Sequence, residues 1–275
     1  MTDLRDRYGP CALVVGAAEG MGAAWAERLA REGFDLVLLD FRGPELNALA
    51  AKLQAAHGIR AGALRCDLAK TAQVRAALDR VAKVEIGLVV FNAALAANGP
   101  WAESTLDAKL RVVAVNVTSV LTITDRLSRP MLERKRGGIV LTSSMAALQG
   151  APGQAIYAAT KSFDLILAES LWGELSSQGV DVMAFIPGMV RTPNFERSGA
   201  AKSSSKLFNP VEPAQAVDEA LAGLGRGPRV VPGRVWKAIA AATALLPRER
   251  VIEAVGQRLS GLEKQPGTVA RPKRG

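Results

Sequence analysis

Short runs of β-branched and leucine-rich residues alternate with longer stretches of helical period from the first residues to about position 186. The runs fall at 12–15, 35–40, 61–66, 86–91, 138–143 and 180–186, with a seventh candidate at 229–231. Their near-continuous apolar character suits strands covered on both faces, because a strand with one wet face alternates apolar and polar residues. Between them, 22–31, 44–56, 71–82, 105–129, 155–177 and 213–224 are rich in Ala, Leu, Glu, Lys and Arg at helical spacing, and Pro44 fits a first helical turn. The alternation predicts an α/β fold: one doubly wound domain over 1–265, with a parallel sheet of about seven strands and helices on both faces.

Two segments break the rhythm. After Pro187-Gly188 the chain enters a Ser-, Lys- and Pro-rich stretch, 191–210, too long and too poor in period to be core, which predicts a lid loop over about 189–210. The stretch 234–260 is amphipathic and interrupted by Pro247, which predicts two short helices and then a disordered basic tail over 266–275. Val235, Trp236, Ile239, Ala240, Ala242, Thr243 and Leu246 recur at intervals of three and four beside Arg234 and Lys237. Such a stripe has to be covered, either by closing the apolar end of a ligand pocket or by lying on an anionic membrane. The pocket wall is preferred, because Pro247 limits the helix before it to about three turns, little area for membrane attachment.

Composition narrows the chemistry. Of 275 residues 49% are apolar and 22% charged, ample for a core without disulfides or a structural metal. His57 is the single histidine and Cys11 and Cys66 are the only cysteines, so a zinc site of several Cys and His ligands cannot be assembled and no metal is expected. A Ser-His-Asp or Cys-His mechanism would have to use His57, which precedes Gly58 at a helix end where a cation or a cap is the natural role. The cysteines lie in apolar or strand-like stretches and read as free thiols of a reducing compartment. Residues 1–7 carry acids and lack the apolar core of an export signal, so the expected location is the cytoplasm. The formal charge of +9 is unevenly placed: from Arg226 onward eleven bases face three acids. A solvated basic surface accounts for this; nucleic acid is not an expected partner, and contact with a membrane or an acidic carrier is the lesser reading.

The first run leads directly into Gly16-Ala17-Ala18-Glu19-Gly20-Met21-Gly22, after which a helix begins. Glycines at such a turn let backbone N–H groups approach a pyrophosphate at the positive end of the helix. Asp40 ends the second run eighteen residues after Gly22. A carboxylate there accepts hydrogen bonds from the adenosine ribose and repels a 2′-phosphate, whereas Arg42 two residues on could attract one; NAD is expected in preference to NADP. A plain turn acid ahead of Pro44 is the other reading of Asp40.

Together with Asp67, Phe91-Asn92-Ala93-Ala94, Asn116, Ser144, Tyr157-Ala158-Ala159-Thr160-Lys161 and Pro187-Gly188, in that order, these landmarks resemble the short-chain dehydrogenase/reductase family over about 12–188. Val15 stands where the family has Thr, and Phe91 and Ala94 where it has Asn and Gly. The resemblance implies a single Rossmann-type domain that binds a nicotinamide dinucleotide through Gly16, Gly20, Met21, Gly22, Asp40, Phe41, Asp67, Leu68, Asn92, Ala93, Tyr157, Lys161, Pro187, Gly188, Val190 and Thr192. It implies Tyr157 as general acid/base, Ser144 as its hydrogen-bond partner, Lys161 as the ribose ligand, and Asn116 as the holder of a proton-relaying water. Tyr157 and Lys161 are one helical turn apart, so the ammonium can lie near the phenol and favour its phenolate.

Leu95, Met189, Phe195, Leu207 and Phe208 either line an apolar substrate cavity or pack the lid to the body; with Ser144 and Tyr157 they are the substrate-side candidates. The expected activity is interconversion of a secondary alcohol and a ketone on an apolar small molecule. A 3-oxoacyl thioester reductase and a dinucleotide-sensing binding protein are the alternatives. The family's long helices, here 105–129 and 155–177, imply a homodimer or homotetramer.

Overall fold

Each apolar run becomes a strand in the computed structural model of the chain, which describes residues 4–197 and 209–263. The order begins α1 (Leu4–Tyr8), β1 (Cys11–Val15), α2 (Gly20–Arg31), β2 (Asp35–Asp40), α3 (Gly43–His57), β3 (Ala61–Arg65), α4 (Thr71–Arg80) and β4 (Ile86–Phe91). It continues with α5 (Leu106–Val113), α6 (Ser119–Glu133), β5 (Gly137–Thr142), α7 (Ala155–Leu175), β6 (Val180–Phe185), α8 (Pro193–Arg197), α9 (Pro213–Gly223), β7 (Arg229–Val230), α10 (Arg234–Leu245) and α11 (Arg248–Glu263). The strands form one parallel sheet in the order β3-β2-β1-β4-β5-β6-β7, the doubly wound arrangement that the alternation predicted.

The period of two along each strand divides the core between the two faces. Leu13, Val15, Val37, Leu39, Val89, Phe91, Ile139 and Leu141 join Val74, Val120, Ile123, Leu165 and Ala168 from α4, α6 and α7 on one face. Val14, Leu36, Leu38, Leu88, Val90 and Val140 join Trp25, Leu29, Leu46, Leu53 and Val217 from α2, α3 and α9 on the other. Each such fully covered Val, Leu or Ile stabilises by roughly 1.5–3 kcal/mol relative to exposure. This is why the central strands read as unbroken apolar runs.

Four expectations need correction. The helix expected over 105–129 is two helices joined by a π-helical turn, Ala114–Thr118, and it runs on through Pro130 to Glu133. Proline removes one helical hydrogen bond, but the fully buried Met131 anchors the turn that follows. The segment 191–210, read as loop, carries the short helix α8, capped where the Phe195 N–H donates to Thr192 Oγ1 at 3.2 Å. Its base is pinned by a bridge between Val190 and Val211. The third correction is α1, which the sequence reading did not contain. The C-terminal helices do part at Pro247, but the stripe on α10 is only half covered: Trp236 is buried while Val235 and Leu246 are exposed. Leu207, Phe208 and the tail 266–275 lie outside the described residues.

Candidate active site

The strand order reverses beside β1, between β1 and β4, and the crevice at the carboxyl ends of these strands is where such sheets hold ligands. The turn from β1 to α2 is drawn over the sheet by the Gly16 N–H, which donates to Leu39 O at 2.7 Å. A methyl group at Gly22 would fall 1.8 Å from Gly16 O, so only glycine permits the first turn of α2 to approach this closely. From β4, the Asn92 and Ala93 N–H groups both donate to Val15 O at 2.9 Å, and Asn92 Nδ2 donates to Gly16 O at 3.3 Å. The departures at Val15, Phe91 and Ala94 thus leave the strand ends joined, through Asn92. Asn92 Oδ1 is buried and has no protein partner, one acceptor still to be matched at the crevice. A glycine cradle at a helix N-terminus with an orphan amide beside it fits a dinucleotide pyrophosphate.

At the far end of the crevice Asp40 is buried, its Oδ2 accepting from the Ala18 N–H and its Oδ1 from the Arg42 N–H, both at 3.1 Å. It is therefore no plain turn acid: it ties the tip of β2 to the glycine turn. Arg42 reaches Asp40 Oδ1 with Nε at 3.5 Å and Glu19 Oε2 with a terminal nitrogen at 2.8 Å. Glu19, to which the sequence reading gave no role, also pairs with Arg197 of α8. The Arg197 guanidinium, with Arg42 behind it, outweighs partial burial and holds the Glu19 carboxyl below the usual carboxylate range. Phe41 is exposed under the Arg42 guanidinium, 5.5 Å from its ring centre. Asp67 accepts from the Ala69 N–H and from Arg111, and Leu68 is buried beside it. Met21 is half-buried against the core below the turn, and Gly20 lies against Thr192. Burial pushes the Cys66 thiol to about 11 and the Cys11 thiol to about 12, so neither free cysteine is a nucleophile. His57 Nε2 donates to Glu27 Oε1 at 2.9 Å, which ties the end of α3 to α2.

Ser144 and Tyr157 come from different elements that are tied together. Ser143 Oγ donates to Lys161 O at 2.7 Å and Ser162 Oγ to Ala147 O at 2.8 Å, which fixes the face of α7 carrying Tyr157 against the segment after β5 carrying Ser144. Both side chains are half-buried, within reach of solvent or ligand. Ser144 Oγ accepts from the Ala146 N–H at 3.2 Å, which leaves its own O–H free to donate.

Two residues given roles by the resemblance are held by the protein itself. Lys161 is buried, and its ammonium donates to Thr142 O at 2.7 Å and Asp164 Oδ2 at 2.9 Å. Burial pushes the Asp164 carboxyl up against the pull of Lys161. Asn116 sits in the π-helical turn, wholly buried, with Nδ2 donating to Leu95 O and Thr160 Oγ1 and Oδ1 accepting from the Leu95 N–H. Its side chain is committed to the protein, so any water it holds would have to be met by its backbone.

The substrate-side candidates divide. Leu95 and Met189 are half-buried against opposite core faces, and Phe195 is the buried residue of α8. The rim is closed where the Gly99 N–H donates to Gly153 O at 2.8 Å. Trp236 lies on the Pro187-Gly188 turn so closely that a methyl group at Gly188 would meet its ring at 2.1 Å, and Ile252 of α11 packs on Gly150. Next to this wall, a cavity of about 860 Å³ between α9, β7, α10 and α11 touches Leu148 and Gln149. Its lining includes Arg226, Arg229, Lys237 and Arg248. Among the described residues there is no cluster able to hold a metal ion and no helix long and apolar enough to cross a membrane.

A nucleotide cradle at the reversal of a parallel sheet, facing a serine, tyrosine and lysine, defines a dinucleotide-dependent oxidoreductase. The family model for short chain dehydrogenases matches residues 10–203, and the chain belongs to that family. It is 26% identical over 234 residues to the 7beta-hydroxysteroid dehydrogenase of Collinsella aerofaciens, covering 84% of this chain and 89% of the relative. It is 31% identical over 231 residues to a very-long-chain 3-oxoacyl-CoA reductase-like protein of Arabidopsis thaliana, covering 82% and 73%. A solved 7beta-hydroxysteroid dehydrogenase superposes with a TM-score of 0.86 at 25% identity, over 92% of this chain and 99% of that one. A short-chain dehydrogenase from Sphingobium yanoikuyae in complex with NADPH gives 0.76 at 30% identity, over 97% and 99%.

Proposed function

We propose that the chain is an NAD(H)-dependent oxidoreductase interconverting a secondary alcohol and a ketone on an apolar small molecule. The observation that supports this reading is the pinning of α7, which carries Tyr157, to the segment after β5, which carries Ser144. Bound there, a nicotinamide dinucleotide supplies or accepts a hydride, a chemistry no side chain provides. Tyr157 gives or takes the proton at the substrate oxygen, and the free O–H of Ser144 donates to that oxygen as negative charge develops on it. Lys161 places a cation beside the cofactor ribose, and Asp40 accepts from the adenosine ribose.

NAD is preferred because the cation best placed for a 2′-phosphate, Arg42, already faces two carboxylates, Asp40 and Glu19. A second reading, a 3-oxoacyl thioester reductase, draws on the Arabidopsis relative and on Arg226 and Arg248 at the cavity beside the site, where Lys237 and Arg229 pair with Glu219 and Glu169. Following NADH absorbance with steroid-like ketones and with 3-oxoacyl thioesters separates the two, and silence with every ketone and thioester would end both. The buried free thiols suit a reducing cytoplasm.

Two further outcomes are expected. Leu106, Leu110, Leu121, Ile166 and Trp172 are exposed on α5, α6 and α7, a face suited to a two-fold contact. Light scattering should accordingly give a dimer or tetramer, not a 29.0 kDa monomer. Removing residues 234–275 takes Trp236 off the Gly188 turn and should raise KM for the apolar ketone at least ~5-fold more than KM for NADH, in solution without lipid. Unchanged kinetics together with lost co-sedimentation on anionic liposomes would favour the membrane surface instead.

A further inference from the structure

The Lys161–Asp164 pair is not accounted for by stability. Both side chains are no more than 2% exposed, and Asp164 Oδ1 is buried with no protein partner, on a helix whose Leu165 and Ala168 belong to the core against the sheet. A buried ion pair of this kind is commonly matched or exceeded in stability by apolar residues of similar volume, and an orphan carboxylate oxygen adds a desolvation cost. An ammonium carries three N–H donors. Thr142 O and Asp164 Oδ2 take two of them, which leaves one for anything that enters the crevice.

We infer that Asp164 is a positioning residue for Lys161: one helical turn away on α7, it supplies the counter-charge that keeps the buried ammonium in place and fixes the direction of its single remaining N–H. This rests on the reading of Lys161 as a cofactor ligand. A long side chain with four rotatable bonds is otherwise free to move, and an ammonium at this depth without a counter-ion is expelled toward water or neutralised. The carbonyl of Thr142 can orient the ammonium but cannot balance its charge. The acid is therefore placed for the lysine, and the orphan oxygen is a cost of having it there.

Asp164→Asn keeps the shape and one acceptor but removes the charge. It should weaken NADH binding, read by fluorescence titration, by ~5-fold or more, and lower kcat at least ~10-fold, while KM for the ketone changes little. Asp164→Glu should recover part of both losses, and Asp164→Leu, which strands the buried ammonium, should lower Tm and bind NADH as weakly as Asp164→Asn, whereas Tm should be kept or raised only when Lys161→Met is combined with it. In a Lys161→Met background, Asp164→Leu should leave NADH affinity where it is, because there is no ammonium left to position.

A readout independent of turnover is the slowly exchanging ammonium signal of Lys161 in protein labelled with 15N-lysine, identified by its absence from Lys161→Met. It should be present in the unmodified protein and missing from Asp164→Asn. Unaltered NADH affinity in folded Asp164→Asn and Asp164→Leu, or survival of the ammonium signal without the acid, would overturn the inference. If the unmodified protein reduces no ketone, the functional reading fails, but the ammonium signal and NADH titration still decide the role of Asp164.

Discussion

Tyr157→Phe should lower kcat by at least ~10²-fold in either direction of the reaction, with NADH affinity within about two-fold of the original. The ring stays, so its half-buried seat on α7 stays filled, and the bonds that hold α7 to the end of β5 come from Ser143 and Ser162. What goes is the hydroxyl that, on the proposed mechanism, exchanges the proton with the substrate oxygen. Ser144 can still donate a hydrogen bond, but a serine hydroxyl does not give up its proton in this pH range, so charge on the oxygen would be stabilised without being neutralised. Because the lost interaction belongs to the transition state, kcat and kcat/KM should fall together while KM moves little. Steady-state rates with the best ketone, paired with a fluorescence titration of NADH, test this. Turnover near the original value would remove Tyr157 from the chemistry, and lost NADH binding would show that the substitution had disturbed the crevice itself.

The sheet was legible in the sequence because each central strand is covered on both faces, which leaves an apolar run with no polar alternation to confuse it with a surface helix. The glycine turn was legible for a related reason: Gly22 sits where a methyl group would strike the Gly16 carbonyl, and no other residue type meets that demand. The π-helical turn was not, since one residue inserted into a helix barely disturbs its apolar period, and the carbonyl and N–H of Leu95 that its Asn116 reaches are distant in sequence. The two surprises at the site are of the same kind. Glu19 reads as a turn residue until Arg42 and Arg197 are brought to it from positions far along the chain. Asp164 was visible as an acid three residues after Lys161, a signal that should have been read. On a helix such a pair shares a face, and an acid among Ser162, Phe163, Leu165 and Ile166 has to find a cation. The stripe on α10 was half right because Trp236 packs on Gly188 and Ile239 against the core, while Val235 stays exposed.

Cofactor choice should turn on the acids around Arg42. Asp40→Ala is expected to shift the ratio of kcat/KM for NADPH over NADH by at least ~10-fold in favour of NADPH, and adding Glu19→Gln should carry it further. The magnitude follows from the charges. At an effective dielectric of ~20, two unit charges ~6 Å apart interact by about 3 kcal/mol. A tenfold change requires only about 1.4 kcal/mol. A 2′-phosphate brings up to two negative charges, so removal of one buried carboxylate relieves more repulsion than the shift demands, even after screening.

The same substitution should weaken NADH, because on the proposed reading the ribose hydroxyls lose their acceptor, and the Ala18 and Arg42 N–H groups lose the carboxylate that ties the glycine turn to β2. Arg42, released from Asp40 and then from Glu19, becomes available to the phosphate. Glu19→Gln alone should act more weakly: Glu19 is held by Arg197 as well, so its charge is shared between two cations before a phosphate arrives. Measuring kcat/KM for both cofactors across the unmodified protein, the two single variants and the double variant tests the argument as a cycle. A parent enzyme already faster with NADPH than with NADH would refute it, and a double variant no different from Asp40→Ala would remove Glu19 from the account while leaving Asp40 in it.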